Sequence, residues 1–430
     1  MYLKSPEDGL SQRTASARLH RGLSALSVAI WMTLCMPFAF GQQPAPAATP
    51  PPATASATTP VKVTDAGQAK GGEAELLRLA QQQGKADTAI VDWVLANSGP
   101  LKGDTRAGEL RIAFTITPAE GWWDKAGGGK LAWHDAPDGN VHLRIFILDL
   151  ADGRLAPGLS VRATLVDANG NEQSVPADFG WYPLINAYGG NIPMDTDSSY
   201  TLRVSVDALQ PHHVFAVSEH FAHAINTEFP PVQISQDTVA AMSLASDTSF
   251  AYEADLLKPA NAALSAAITA LWKQSLSGSE RPFGDYFVGY ALDFSGLVMP
   301  LPGAKLHLKK MVDLSGKDSV RVVVLPRDSH SGRFIPGLKP QANLIAADGK
   351  LYGPGELPLT WHQWLSHYGR SARIPRKEVY KLRVHFEPPS FRRWGRQSER
   401  FAVPADVEFD DVSLKPEANP KPDAKPEAKD

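Results

Sequence analysis

The feature that most constrains this 430-residue chain is an internal repeat spanning nearly all of its length after the first 70 residues. Solenoid repeats recur every ~20–50 residues, whereas these matches are far more widely spaced. The matches are Tyr188-Gly189 with Tyr368-Gly369, Trp181 with Trp361, and Glu73–Arg78 with Glu253–Lys258, each 180 positions apart, and Pro157-Gly158-Leu159 with Pro336-Gly337-Leu338, 179 apart. The spacing therefore predicts two tandem copies of one domain.

The ends of the chain differ in composition from the repeats. Residues 1–41 resemble an export signal, with a basic start, an uncharged apolar run over 23–40 and small residues at Ala39 and Gly41. The alternative is an uncleaved anchor in the inner membrane. The predicted segments are a signal at 1–41, a Pro/Ala/Thr-rich linker at 42–70, repeat 1 at 71–237, repeat 2 at 250–414 and a disordered charged tail at 415–430.

Cysteine content and charge exclude several classes of protein. The only cysteine, Cys35, lies in the predicted signal, so the exported protein would have no disulfide, thiolate metal site or cysteine nucleophile. A net charge of −3 gives no support for nucleic-acid binding. Motifs for a serine-hydrolase elbow, a phosphate-binding loop or a zinc protease are absent from the sequence. We expect a periplasmic protein that is not an enzyme.

Hydrophobic periodicity predicts a mainly β fold. Tyr380, Leu382, Val384 and Phe386 alternate with polar residues, which indicates a strand with one buried face. Similar short strands, separated by glycine and proline, run through both repeats. Helical spacing appears only at 87–96 and 262–274, near the start of each repeat. We predict two tandem immunoglobulin-like antiparallel β-sandwich domains, each preceded by a short helix and neither containing a parallel sheet.

The second repeat resembles the periplasmic iron-transport accessory proteins, the β-sandwich proteins found with bacterial ferrous-iron permeases. The resemblance rests on His367-Tyr368-Gly369, on Tyr380 before a strand, and on Pro388-Pro389 followed by Trp394-Gly395-Arg396. It implies a sandwich fold, an iron or copper ion as ligand and an inner-membrane iron permease as partner. Because members of that family form homodimers, a tandem pair would be an intramolecular pseudo-dimer.

The resemblance also implies a ligand set that this chain keeps only in part. The family uses a His-x-Glu pair, a methionine, the turn histidine and the histidine of a Gly-Arg-His segment. In repeat 1 His142 survives, whereas Arg144, Ala187 and Gly180 replace the glutamate, turn histidine and methionine. In repeat 2 the turn histidine His367 survives, and the replacements are Ser319 and Arg321 for the pair, Thr360 for the methionine and Gln397 for the last histidine.

Four histidines are the candidate metal ligands. His142 and His367 could form one composite site between the repeats, although a histidine in a strand or beside a turn can equally be a hydrogen-bonded structural residue. His220 and His223 share a face if their segment is helical and point to opposite sides if it is a strand. The remaining histidines of repeat 2 are scattered: His307, His330, His362 and His385.

Two functions follow from these observations. The first is a periplasmic accessory protein that captures ferrous iron or copper through histidine-centred sites. The second is a non-metal module of the cell envelope that binds a protein or a cell-wall partner through its sandwich. The missing ligands favour the second function, and the preserved turn and strand pattern is what conservation of the fold alone would leave.

Overall fold

The computed structural model describes residues 72–195, 197–209, 214–215, 221–245, 253–294, 319–376 and 379–414. The predicted signal, the linker, the charged tail and His220 lie outside these residues. In the part of the chain that is described, no helix combines the length and the apolar character needed to cross a membrane. We refer to 72–245 as the first half and to 253–414 as the second half.

Each half contains short strands and at least one helix. The elements of the first half are α1 (Gly72–Asn97), β1 (Lys102–Ala107), β2 (Leu110–Pro118), β3 (Trp122–Gly127), β4 (Lys130–His134), β5 (Asn140–Asp149), β6 (Val161–Asp167), β7 (Glu172–Val175), β8 (Phe179–Trp181), β9 (Ala187–Pro193), β10 (Ser198–Val206), β11 (Val214–Phe215), β12 (Ile225–Glu228), β13 (Val232–Ile234) and α2 (Gln236–Ala245). Those of the second half are α3 (Glu253–Gln274), β14 (Ser277–Phe283), β15 (Tyr286–Phe294), β16 (Ser319–Asp328), β17 (Gln341–Ile345), β18 (Leu351–Glu356), β19 (Leu359–His362), β20 (His367–Arg373), β21 (Val379–Phe386), β22 (Arg392–Trp394) and β23 (Ala405–Ser413).

The strands form four sheets, which confirms the predicted mainly β class. The first half has an eight-stranded sheet in the order β1-β2-β5-β9-β8-β22-β3-β4 and a five-stranded sheet in which β13 joins β12-β10-β6-β7. The second half has a six-stranded sheet in the order β11-β19-β20-β16-β15-β14 and a four-stranded sheet in the order β18-β17-β21-β23. The large sheets thus have the same order of strands, apart from the additional β3–β4 hairpin.

A short strand from each half completes the large sheet of the other half. β22 pairs in parallel with β8, and β11 pairs in parallel with β19. These two short pairs are the parallel exceptions among the described strands, whose other pairings are antiparallel as predicted. A three-residue strand and a two-residue strand carry too little hydrophobic pattern to reveal their partner, because only the tertiary fold brings them beside a distant strand.

Alternating apolar residues fill one core in each half, as the period of two predicts. In the second half Tyr380, Leu382, Val384 and Phe386 are all buried, whereas Lys381 and Arg383 between them face solvent. Their exposed neighbours pair with acidic residues of β23, for example Arg383 with Asp406. Ion pairs on such an exposed face contribute little to stability, so burial of the inner face carries the fold.

The helices are longer than the sequence pattern predicts. The predicted segments 87–96 and 262–274 are the C-terminal parts of α1 and α3, which pack against each other. Pro259 lies inside α3, where its fixed φ and missing N–H usually end a helix. In α1, Gly84 rests on the loop after β5, where an added Cβ would lie 1.8 Å from the carbonyl oxygen of Asp152. Only glycine permits this close contact between the helix and the loop.

Candidate functional site around the buried histidines

His142 lies in the middle of the eight-stranded sheet and uses both ring nitrogens internally. Asn191 donates its amide to the carbonyl oxygen of Glu120 and accepts the Glu120 N–H through Oδ1, so Oδ1 is oriented as an acceptor. His142 therefore donates from Nδ1 to Asn191 Oδ1 over 2.8 Å and accepts from the Tyr182 hydroxyl at Nε2 over 3.0 Å. The ring is fully buried, and this pattern is that of a neutral imidazole.

Burial lowers the pKa of His142 to about 4, with Arg144 opposing the charged form and Glu120 and Asn191 favouring it. Arg144 forms an ion pair with Glu120, and its guanidinium carbon lies 4.9 Å from the Tyr182 ring centroid. Arg144 is thus paired beside the histidine.

Trp394 of the second half closes this site. It arrives on β22, and its ring centroid lies 4.4 Å from that of His142 and 6.0 Å from that of Tyr182, parallel to the latter. Both Trp394 and Tyr182 are buried. Space beside His142 is therefore occupied by aromatic rings drawn from both halves of the chain.

The segment that delivers Trp394 is organised by a buried guanidinium. Arg393 is 0% exposed and donates to four main-chain carbonyls, those of Pro389, Phe391, Arg400 and Phe401. Burial lowers the pKa of this arginine, but the carbonyl oxygens satisfy its donors. The loop 389–401 therefore folds around one side chain, which explains how so short a strand as β22 is held in place.

His367 occupies the start of β20 and is also satisfied internally. It donates from Nδ1 to the carbonyl oxygen of Leu365 over 2.9 Å, and Nε2 accepts from Arg321 Nη2 over 2.9 Å. Burial, followed by the nearby charge of Arg321, lowers the pKa of His367 to about 3. The guanidinium occupies the direction in which Nε2 would bind a cation.

A histidine without a predicted role, His362, lies beside His367. The two ring centroids are 5.9 Å apart, and His362 is buried, with Nδ1 accepting from the Trp364 N–H over 3.3 Å. Burial is the main reason that the pKa of His362 lies well below its ordinary value. The turn between β19 and β20 folds His362 back beside His367. Hydrophobic periodicity alone does not reveal such a turn, so sequence reasoning missed this contact.

Strand register gives an alignment of the two halves that differs from the one drawn from the sequence. His142 pairs with Asn191, and Arg321 pairs with Ser371, 180 positions after Asn191. In this register Arg321 takes the place that His142 has in the first half, and Val323 takes the place of Arg144. The sequence comparison instead places Ser319 and Arg321 at the positions of the histidine pair.

One arginine from each half stacks on a tryptophan of the other half. Arg154 stacks on Trp361, 4.4 Å from its centroid, and donates to the carbonyl oxygens of His362 and Gln363. Arg333 in turn stacks on Trp181 at 4.1 Å and donates to the carbonyl oxygen of Tyr182 over 2.8 Å. Arg154 therefore holds the end of β19 at His362, and Arg333 holds the residue after β8, Tyr182.

The structure does not assemble the predicted ligands into one described centre. His142 and His367 lie in different sheets and share none of their hydrogen-bond or ring partners. His223 is exposed and does not lie in a helix, and its predicted partner His220 is outside the described residues. Among the residues with described positions, no three histidine, cysteine, aspartate or glutamate side chains converge as a metal-binding group.

Comparison with known proteins finds partial similarity to a few solved structures. No family model matches the chain, and no curated protein matches it. Among solved structures, a DUF4426-family protein of Pseudomonas aeruginosa is 13% identical, with a TM-score of 0.22, and covers 32% of this chain and 98% of its own. FetP of uropathogenic Escherichia coli is 22% identical, with a TM-score of 0.25, and covers 32% of this chain and 95% of its own.

A copper-bound variant of FetP gives the same identity and coverage, with a TM-score of 0.23. With TM-scores of 0.22 to 0.25, neither the copper of that variant nor the assembly of these proteins transfers to this chain.

Proposed function

We propose that this chain is an exported, non-catalytic protein of the cell envelope that binds a partner through its surface. In this proposal its buried histidines stabilise the fold through internal hydrogen bonds. One observation carries the proposal. All four ring nitrogens of His142 and His367 take part in internal hydrogen bonds. A metal ion would have to displace those partners, since a ligating imidazole needs a free lone pair.

Charge adds to the barrier at His367. A cation bound at Nε2 would replace the hydrogen bond from Arg321 and then face its guanidinium at short range. At about 4 Å and an effective dielectric constant of about 20, two like unit charges repel by about 4 kcal/mol, and a divalent ion would face twice that. At His142 the neighbouring cation Arg144 is paired with Glu120, and the position is closed by Tyr182 and Trp394.

We further propose that the chain arose by tandem duplication and forms an intramolecular pseudo-dimer in the periplasm. The common strand order, the exchange of β11 and β22 and the reciprocal stacking of Arg154 and Arg333 support this proposal. The basic, then apolar, first 41 residues support export.

A partly exposed surface suits partner binding in this proposal. We define the tryptophan–arginine surface as Trp123, Trp133 and Arg396. The two tryptophan rings lie 5.2 Å apart, and Arg396 stacks on Trp133 at 4.5 Å. Tryptophan and arginine carry much of the binding energy in protein interfaces. Trp123 donates to the carbonyl oxygen of Arg396 over 3.1 Å, so the surface includes both halves of the chain.

A photo-crosslinking amino acid at Trp133 tests this surface in cells that express the full chain. The control carries the same residue at Val379, which is 52% exposed on the other sandwich. We expect a discrete crosslinked product from position 133 and none of that size from position 379. Equal products from both positions, or none from either, would contradict a role of the tryptophan–arginine surface.

Metal capture with an inner-membrane iron permease as partner is the second candidate function, favoured by one observation. The exposed ring of His223 is accessible to solvent, and His220 precedes it by three residues. Ferrous iron or copper at this pair would leave His142 and His367 undisturbed.

Calorimetry on the chain from Gln42 onward separates the two functions. Copper, and ferrous iron without oxygen, are titrated into the unaltered protein and into the His142→Ala, His367→Ala and His223→Ala variants. We expect no tight binding in any of them. Tight binding lost in His142→Ala or His367→Ala would overturn the proposal, whereas tight binding lost only in His223→Ala would establish the second candidate.

A further inference from the structure

A cavity of about 90 Å³ lies between the two sandwiches and the paired helices, apart from the candidate histidines. Its walls are largely apolar and include Ile90 of α1, Leu257 and Leu264 of α3, and Phe334. An engineered cavity of about 150 Å³ holds a six-carbon ring, so a space of this size suits a molecule of roughly four to six heavy atoms.

A buried carboxylate opens into this cavity with an incomplete set of partners. Asp87 of α1 lines the cavity and is only 8% exposed. Its Oδ2 accepts the Leu155 N–H over 3.2 Å, whereas Oδ1 accepts no hydrogen bond from any described residue. Buried polar groups in native proteins are nearly always hydrogen-bonded. Because Asp87 lines the cavity, a ligand bound there can donate a hydrogen bond to Oδ1.

A guanidinium with an available donor lies beside this carboxylate. Arg154 precedes Leu155 in the chain, lines the same cavity and is 2% exposed. Its Nε and Nη2 bind Asp152 and the carbonyl oxygens of His362 and Gln363, but Nη1 donates to no residue that the structure describes. The cavity thus offers one acceptor and one cationic donor close together in an apolar surround.

The charged side chains around the cavity favour a ligand without net charge. Asp87 is influenced by the charges of Arg154, Asp152 and Arg333, which together with Asp87 sum to zero. Burial raises the pKa of Asp87 to about 7, because its present partners stabilise the carboxylate only in part. A ligand without net charge preserves this balance, whereas an anion or a cation would leave one buried charge uncompensated.

We propose that this cavity binds a small zwitterionic α-amino acid, with its ammonium group on Asp87 Oδ1, its carboxylate on Arg154 Nη1 and its side chain against the apolar wall. Charge-assisted hydrogen bonds of this kind are the stronger ones in proteins. The site is independent of metal binding by the histidines, so the outcome of the metal titrations leaves it unaffected.

Calorimetry with three matched probes tests the proposal on the chain from Gln42 onward. L-Alanine carries both charged groups, propionate lacks the amine and ethylamine lacks the carboxylate. We expect L-alanine to bind at concentrations up to about 10 mM and each half-probe to bind at least about tenfold more weakly. Absence of L-alanine binding, or equal binding of propionate or ethylamine, would overturn the zwitterion site.

Variants localise the binding. Asp87→Asn should weaken L-alanine at least about tenfold, because the neutral amide loses the charge-assisted bond. Asp92→Asn, an exposed change on the same helix, should leave it unchanged. Ala260→Leu fills the cavity from α3 without altering a charge and should abolish binding. If Asp87→Asn misfolds, unaltered L-alanine binding by a folded Ala260→Leu protein would still refute the proposal.

Discussion

Acid sensitivity of folding provides a direct test of the neutral, buried state of His142. An unfolded histidine titrates near pH 6.5, whereas burial lowers the pKa of His142 in the folded protein to about 4. Between these two values the unfolded chain binds more protons than the folded chain. The contribution of His142 to stability is therefore intact at neutral pH and declines as the pH falls from 6.5 towards 4.

The two pKa values of His142 determine the magnitude of this effect. At pH 5 the unfolded ring is almost fully protonated and the folded ring is about one-tenth protonated. With about 1.4 kcal/mol for each pH unit in this interval, the protein loses about 2 kcal/mol of its free energy of unfolding between pH 7 and pH 5 through this residue alone.

Other buried groups contribute over the same interval, so the unaltered protein alone is not informative. His367, whose pKa is lowered to about 3, adds a loss of the same sign and of about the same size. Asp87 acts in the opposite direction, because its pKa is raised to about 7 and its folded form takes up a proton as the pH falls. Only the difference between the unaltered protein and a His142 variant isolates the imidazole.

Urea unfolding at pH 7 and pH 5, followed by tryptophan fluorescence, measures this difference. His142→Gln should be less stable than the unaltered protein at pH 7, because it disturbs buried hydrogen bonds with Asn191 and Tyr182. Its further loss between pH 7 and pH 5 should be about 2 kcal/mol smaller than that of the unaltered protein. The exposed His223→Gln variant is the matched control for loss of a histidine side chain. A His142→Gln protein with the same pH dependence as the unaltered chain would refute the neutral, buried assignment.

Two further predictions concern how the halves and the helices are held. Gly84→Ala should lower the free energy of unfolding by about 2 kcal/mol, although alanine favours helices, because the added Cβ would meet the Asp152 carbonyl. In a parallel urea titration, the exposed Gln82→Ala on the same helix should change the free energy of unfolding by less than about 0.5 kcal/mol. A stabilised Gly84→Ala protein would contradict the contact. Residues 71–245 expressed alone should be insoluble or should bind a hydrophobic dye, since β22 and Trp394 are missing from their sheet. Co-expression with residues 246–430 should restore solubility. A soluble, cooperatively folded first half would show that the strand exchange is dispensable.

The parts of the fold that were predictable from the sequence depend on local patterns. Alternation over Tyr380 to Phe386 identified the buried face of β21, because the side chains of a strand alternate between its two faces. Helical spacing located the second parts of α1 and α3 but not their first parts, which contain Gly84 and Pro259. Both residues are poor helix formers, and only the packing of the helices explains their place.

The candidate site was less predictable, because its chemistry depends on distant residues. His142 could be identified as a strand histidine, but its neutral state depends on Tyr182 and on Trp394 from the other half. Similarly, the pairing of His367 with Arg321 requires the register between β20 and β16. A sequence can place these residues on strands, whereas the pKa and the available lone pairs follow from three-dimensional contacts.

The strand exchange and the buried histidines have a common physical basis. A metal site shared between two subunits would link them only while its ligands converge. In this chain the region around His142 is filled by Trp394 and Tyr182, with Arg333 stacked on Trp181 nearby. Aromatic packing and hydrogen bonds to a neutral imidazole stabilise the contact without a bound ion. The same residues that close the histidine to a metal thus join the two halves, which is why we place binding at the surface and in the central cavity.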